Sequence, residues 1–173
     1  MFSKIKLWLD RSLETLTGVS MGVLVLDVTW QVITRFILKQ PSSWTEELAT
    51  FLVIWVGLLG SAVALNRRAH LGIDYFVGKL STQKRLIAEV FVYLCTGFFS
   101  IFVLFIGGVR LVSLTFMQNQ TTPALGIKMG YIYLAIPIAG FFIAMYSIEF
   151  LVETLRKFKE KQDKPDAPIV QVD

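Results

Sequence analysis

Four long apolar stretches, separated by charged or turn-forming residues, organise the chain. They run over about 13–36, 44–65, 86–116 and 129–151. Leu48–Leu65 holds 18 residues without a charge, and Val90–Val109 and Met129–Ile148 hold 20 each. An α-helix rises ~1.5 Å per residue, so runs of this length cross or nearly cross a ~30 Å hydrocarbon core. The first stretch carries Asp27 in its interior, but its length and flanks still favour a span. The pattern predicts an all-α membrane protein with four transmembrane helices in one integral domain over 1–155. The segment 156–173 is charged and contains Pro165 and Pro168. It is expected to leave the membrane as a helix end and then become disordered.

Local signals refine the elements. Ser43 and Glu46 stand three apart, the spacing of a capping box at the start of the second span. Pro123 and Gly126 predict a turn before the fourth span. Pro137 lies inside that span and predicts a kink, because it removes one backbone hydrogen bond. The second connection, 66–85, interleaves Leu71, Ile73, Phe76, Val77 and Leu80 with charges. Part of it is expected to lie on the membrane surface as a short amphipathic helix, and the N-terminal segment to do the same. Trp8, Trp44, Tyr131 and Tyr133 fall near the predicted boundaries, where aromatic belts sit.

Charge sets the expected orientation. Lys4, Lys6 and Arg11 precede span one. Arg67, Arg68, Lys79, Lys84 and Arg85 fill the second connection, and Arg156, Lys157, Lys159, Lys161 and Lys164 follow span four. The first and third connections hold only Lys39 and Lys128. The positive-inside rule then predicts cytoplasmic N- and C-termini. Composition agrees with a membrane class: 54% of residues are hydrophobic, against about 45–50% in soluble domains. Mean hydropathy is +0.61. The single cysteine, Cys95, cannot form an internal disulfide.

Enzyme signatures are absent: there is no Gly-x-Gly-x-x-Gly, P-loop, Cys-x-x-Cys or His-Glu-x-x-His. One histidine, His70, disfavours a haem held by two histidines of this chain and a multi-histidine metal site. A redox-enzyme anchor is disfavoured with it, and no cofactor and no nucleic acid is expected. Asp27 has two readings. As a functional group it is a cation or proton site, and a small self-sufficient oligomeric transporter would be built around it. As a structural group it pairs with another helix, either in this chain or in a partner. Arg35, Arg110, Glu46 and Glu47 are expected near one membrane face, where they could form an ion-pair cluster. Gly18 and Gly22, and the Gly57, Gly60, Ser61 and Ala62 stripe, are expected to let helices pack closely.

Two segments carry a resemblance. Trp44-Thr-Glu-Glu-Leu-Ala runs through Trp55 to Asn66-Arg-Arg-Ala-His-Leu-Gly-Ile-Asp74. Thr122-Pro-Ala-Leu-Gly-Ile is followed by Met129-Gly-Tyr and Pro137. Together they resemble the small, DctQ-like membrane subunit of the tripartite ATP-independent periplasmic (TRAP) transporters, over nearly the whole chain. Lys128 departs from the small or proline residue expected there. The resemblance implies a bacterial inner-membrane protein that pairs one-to-one with a large multi-helix transport subunit and braces it. It also implies a periplasmic substrate-binding protein and sodium-coupled uptake of an organic acid, with sialic acid first and C4-dicarboxylates next. Trp44, Glu46, Glu47, Arg67, Arg68, His70, Asp74, Pro123, Gly126 and Tyr131 are then expected at subunit or phospholipid interfaces.

Overall fold

The computed structural model describes residues 2–40, 42–67 and 82–163. Helix α1 spans Phe2–Phe36 and α2 spans Ser43–Asn66. Helix α3, Thr82–Phe99, passes through a π-helical stretch, Ser100–Gly107, into α4, Gly108–Met117. A short α5, Met129–Tyr133, leads into α6, Ala135–Asp163. Among the described residues four helices are long and apolar enough to cross a membrane: Lys6–Phe36, Ser43–Asn66, Lys84–Met117 and Met129–Lys159. The fold is all-helical, as the hydrophobic pattern predicts.

The N-terminal segment is the first part of α1 itself, continuous with the span rather than a separate helix. The helix of the last span continues to Asp163. The amphipathic helix expected over the second connection, and the tail beyond 163, lie outside the described residues. The break expected from Pro137 falls at Leu134, between α5 and α6. Proline lacks an N–H, so the carbonyl four residues earlier, on Tyr133, loses its helical donor.

The four spans stand in an open row. Helix α1 packs on α2, α2 on α6, and α6 on α3, the π stretch and α4. Among the described residues span one makes no comparable contact with span three, so the order across the row is one, two, four, three. Span four is therefore the buried one. Ala135, Ala139, Ile143, Tyr146, Ser147 and Phe150 all lie inside the protein. With Leu13, Leu59, Ala62 and Leu65, several of them form a core where α1, α2 and α6 meet.

Glycines decide how closely span four seats. A β-carbon on Gly140 would lie 2.8 Å from Leu104 Cβ and from the Phe105 nitrogen. One on Gly108 would lie 2.9 Å from Pro137 Cδ. The wider π turn brings the backbone of Leu104 and Phe105 against α6, and only a bare α-carbon at 140 admits it. Of the stripes expected from sequence only part is used inside the chain: Ala62 is buried in the core and Gly60 faces Thr17 of α1. Nothing lies within 4 Å of a β-carbon built on Gly18, Gly22 or Gly57. Spacing alone cannot say which face of a helix meets a neighbour.

Helix α1 is polar within and apolar without. Leu13, Asp27 and Thr34 are buried, and Thr17, Ser20, Leu24 and Gln31 are half-buried between them. These seven positions alternate steps of three and four, the seam of a helix packed along another. Val19, Met21, Val25, Leu26 and Val28 are exposed on other faces. In lipid no hydrophobic force draws apolar side chains inward, so the polar groups take the interior.

At the end of the row where α1 begins, Lys6, Asp10 and Glu14 form a ladder one helical turn apart. Lys6 pairs with Glu149 of α6. Asp10 Oδ1 accepts a hydrogen bond from the Tyr146 hydroxyl of α6 at 2.6 Å. Glu14 Oε1 meets Arg67 Nε and Nη2, each at 3.0 Å. The two ion pairs are exposed and contribute little. The tyrosine bond differs, since Tyr146 is fully buried. Tyr146→Phe is expected to cost about 1–3 kcal/mol, because it removes a hydrogen bond to a charged acceptor. Thermal unfolding in detergent checks this, and an unchanged midpoint would show that the ladder adds nothing to stability.

Candidate functional site

The site lies at the opposite ends of the helices from this ladder, where α2 begins. Its N-cap is Ser42, in extended conformation, and the helix starts at Ser43. The capping box expected from Ser43 and Glu46 does not form, because the helix begins one residue early and Thr45 takes the third helical position. The Thr45 hydroxyl lies 2.5 Å from Ser42 Oγ and donates to the Ser42 carbonyl at 2.8 Å. Thr45 is fully buried. The Ser42 side chain makes no capping bond to the helix, its hydroxyl being taken up by Thr45, and neither glutamate closes back on the helix start.

Glu47 reaches the third connection. Its Oε2 accepts the backbone N–H of Leu125 at 2.7 Å and that of Ala124 at 3.1 Å. The connection is a tight turn. Thr122 N–H donates to the Ile127 carbonyl at 2.9 Å, and the Thr122 carbonyl accepts from Gly126 N–H at 3.1 Å. The buried Thr122 hydroxyl accepts from Ile127 N–H at 3.1 Å. Gly126 has φ +65°, the left-handed region that glycine enters at no steric cost. Pro123 begins one helical turn whose leading amides have no donor-accepting carbonyl behind them, and the Glu47 carboxylate supplies the acceptor. The two motifs that carry the resemblance are thus joined by a direct contact between residues 77 and 78 apart in sequence.

The turn is also held from beneath. Phe116 of α4 packs edge-on against Tyr131 of α5, centroids 5.2 Å apart. A β-carbon on Gly130 would lie 2.6 Å from the Phe116 ring, so glycine lets the ring sit on the helix start. Lys128 caps α5 with φ −66°, a value that a proline would supply. Beside the turn lies an open groove of about 370 Å³, lined by Ser43, Glu46, Glu47, Thr50, Pro123 and Ala124.

Of the residues singled out by sequence, the structure brings Glu46, Glu47 and Pro123 together around this groove. Gly126 shapes the turn beside it, Tyr131 supports it through Phe116, and Trp44 stands exposed nearby on α2. Arg67 is at the other end, on Glu14. Arg68, His70 and Asp74 lie outside the described residues. The ion-pair cluster of Arg35 and Arg110 with Glu46 and Glu47 is absent among the described residues. Glu47 spends its carboxylate on amides, and the Arg35 guanidinium lies 6.0 Å from the Phe36 ring centroid.

Asp27 is 7% exposed, in the seam of α1, and its Oδ2 has no hydrogen-bond partner among the described residues. That oxygen makes no pairing with another helix of this chain among the described residues. Thr45, Thr122, Phe116 and the Lys6–Asp10–Glu14 ladder were not among the residues expected from sequence. Only the ladder leaves a local signal, its four-residue charge spacing.

Comparison with known proteins places these features. The sequence model of the family described as "Tripartite ATP-independent periplasmic transporters, DctQ component" matches residues 24–157. The sialic acid TRAP transporter small permease protein SiaQ of Vibrio cholerae is 29% identical over 146 residues, covering 83% of this chain and 81% of that protein. The sialic acid TRAP transporter permease protein SiaT of Haemophilus influenzae is 32% identical over 139 residues, which is 79% of this chain and 20% of that longer one. The isethionate TRAP transporter permease protein DctMQ of Oleidesulfovibrio alaskensis is 27% identical over 156 residues, 86% of this chain and 24% of that protein. With four apolar helices and a family match over most of its length, the chain is a multi-pass membrane protein and a transporter component, not an enzyme, and it belongs to the DctQ-component family of the tripartite ATP-independent periplasmic transporters.

Proposed function

We propose that this chain is the small membrane subunit of a sodium-coupled organic-acid transporter in the bacterial inner membrane. It pairs one-to-one with a large permease subunit and braces it, while a periplasmic binding protein delivers the solute. Both termini face the cytoplasm, as the distribution of Lys and Arg favours. The open row of helices is the observation that carries the bracing role. Span four is sheathed, whereas spans one and three keep long apolar faces bare, a shape suited to lying along a larger partner. Relatives in which the matching region forms 20% and 24% of a longer permease support the pairing. Sialic acid and C4-dicarboxylates are the favoured solutes, from the names of the relatives alone.

A tagged copy drawn from native membranes in mild detergent is expected to bring a many-helix membrane protein in equal amount. Sodium-dependent uptake is expected to need that pair plus the binding protein. Recovery of the chain alone would sink this reading.

One observation favours a second reading, in which the chain transports ions or protons by itself: the buried Asp27 has an unpartnered oxygen. Asp27→Asn separates the two. An amide replaces the carboxylate without breaking a hydrogen bond to Oδ2, so under the bracing role uptake by the assembled transporter stays within about twofold of wild type. Abolished uptake with intact assembly would favour the second reading.

A further inference from the structure

Helix α1 carries a polar group that the rest of the chain leaves unanswered. Asp27 is buried in the seam of α1, and its Oδ2 has no hydrogen-bond partner among the described residues. The other polar groups of the seam are turned elsewhere. The Thr17 hydroxyl donates to the Leu13 carbonyl at 2.8 Å, and the Thr34 hydroxyl to the Gln31 carbonyl at 3.0 Å. Gln31 stands one helical turn beyond Asp27 on the same face and is half-buried. Its side-chain amide makes no hydrogen bond among the described residues, although a Gln–Asp pair at this spacing can form one. Two polar side chains one turn apart are thus both without a partner.

The charges around Asp27 do not answer it either. Glu14 meets Arg67 and Thr17 faces Gly60, so α1 and α2 run antiparallel. Asp27 stands ten residues past Thr17, and so near the level of Thr50, ten before Gly60. The charged groups of α2 nearest that level are Glu46 and Glu47, both acids, and Glu47 is bonded to the third connection. Those of α1 are Glu14 and Arg35, and the Arg35 guanidinium lies 6.0 Å from the Phe36 ring centroid, more than two turns away. No cationic side chain among the described residues pairs with Asp27. A carboxylate buried in a span is costly unless something neutralises it.

We propose that Asp27 and Gln31 hold one monovalent cation, a proton or a sodium ion, between the carboxylate and the amide oxygen. Charge and access set the occupant. One positive charge neutralises one carboxylate, and among the described residues no group of three His, Cys, Asp or Glu side chains could hold a metal ion. Asp27 is 7% exposed, and Leu26 and Val28 stand exposed on either side of it. A bare ion reaches it where the long side chain of a neighbouring protein does not. Carboxylate and amide oxygens are hard ligands that suit such an ion, and the same amide oxygen accepts the O–H of a protonated acid. The ion is held rather than carried: it neutralises α1 in place, and the site does not depend on the pairing proposed above.

The test is thermal unfolding of the purified full chain in detergent, with wild type beside Asp27→Asn and Gln31→Leu. A bound ion stabilises only the folded state. For sodium, raising sodium chloride to about ten times its dissociation constant, against choline chloride at equal ionic strength, is expected to raise the wild-type midpoint by about 3–6 °C. For a proton, the folded chain binds one that the unfolded chain releases. The wild-type midpoint then falls more steeply than that of Asp27→Asn as pH rises from ~5 to ~9. Asp27→Asn is expected to lose whichever response the wild type shows, and Gln31→Leu to shrink it. Equal responses of wild type and Asp27→Asn to both sodium and pH overturn the proposal. So does a wild type that responds to neither and is less stable than Asp27→Asn, since the acid then awaits a partner's side chain. Should Asp27→Asn fail to fold, Gln31→Leu carries the comparison, and a response as large as that of wild type overturns the proposal. The reading in which Asp27 carries ions across stands or fails on uptake instead, which separates the two failures.

Discussion

Glu47→Ala is expected to loosen the third connection from α2 and to lower both stability and transport. The Glu47 carboxylate is the acceptor for two backbone amides, those of Ala124 and Leu125. Alanine leaves both without a protein partner. Water reaches the Ala124 amide more readily than the half-buried Leu125 amide, so the loss should fall below the sum of two full hydrogen bonds. A net cost of about 1–3 kcal/mol is expected. Glu47→Gln keeps a carbonyl oxygen but drops the charge, and charge-assisted bonds are about twice as strong as neutral ones. It should therefore fall between wild type and alanine. Glu46→Gln, which removes a carboxylate with no bond to the turn, should leave the isolated chain as stable as wild type. Unfolding midpoints of the purified chain, with uptake in proteoliposomes beside them, check this order. If Glu47→Ala matched wild type in both, the anchor would be incidental to the fold.

Gly140→Val is expected to have a comparable effect by a different route. Even the β-carbon of alanine would fall 2.8 Å from Leu104 Cβ and the Phe105 nitrogen, and valine adds two methyl groups. The obstacle includes backbone, so it cannot rotate aside as a flexible side chain could. Span four would have to move away from the π stretch or turn about its axis. Overpacking of this kind costs about 1–3 kcal/mol or more, roughly 3–10 °C in the unfolding midpoint for a chain of this size. Gly22→Ala is the matched comparison. Nothing lies within 4 Å of its β-carbon, and alanine is the better helix former, so its midpoint should stay or rise. Equal behaviour of the two variants would mean that α6 does not seat on span three as described.

These two residues also show where sequence reasoning stopped. Glu47 was visible as half of an acidic pair at a helix start, and its expected company was Arg35, Arg110 and Glu46. Its actual partners are main-chain amides, which carry no side-chain signature and which any sequence could place there. Gly140 sits in an ordinary apolar run without a Gly-x-x-x-Gly partner, while Gly18 and Gly22 have the spacing, yet among the described residues nothing lies within 4 Å of a β-carbon built on either. The capping box expected of Ser43 and Glu46 does not form: the helix starts one position earlier, and the Ser42 and Thr45 hydroxyls bond each other instead of a backbone N–H. The break near Pro137 was legible, because proline acts on its own helix within four residues.

The chain by itself determined that four helices form and roughly where each begins and ends. The physical cause is local: run length against membrane thickness, proline and glycine at turns, and charges at the ends. The same local information determined the order of the two family motifs along the chain. Only the tertiary structure decided the row of one, two, four, three, the choice of Gly140 and Gly108 as contact points, and the inward turn of Asp27 on α1. It alone joined Glu47 to a turn more than 70 residues away. In a bilayer every face of such a helix is apolar enough to meet lipid. Which face meets protein is then set by small steric and hydrogen-bonding differences between distant segments, and those differences exist only once the segments are side by side.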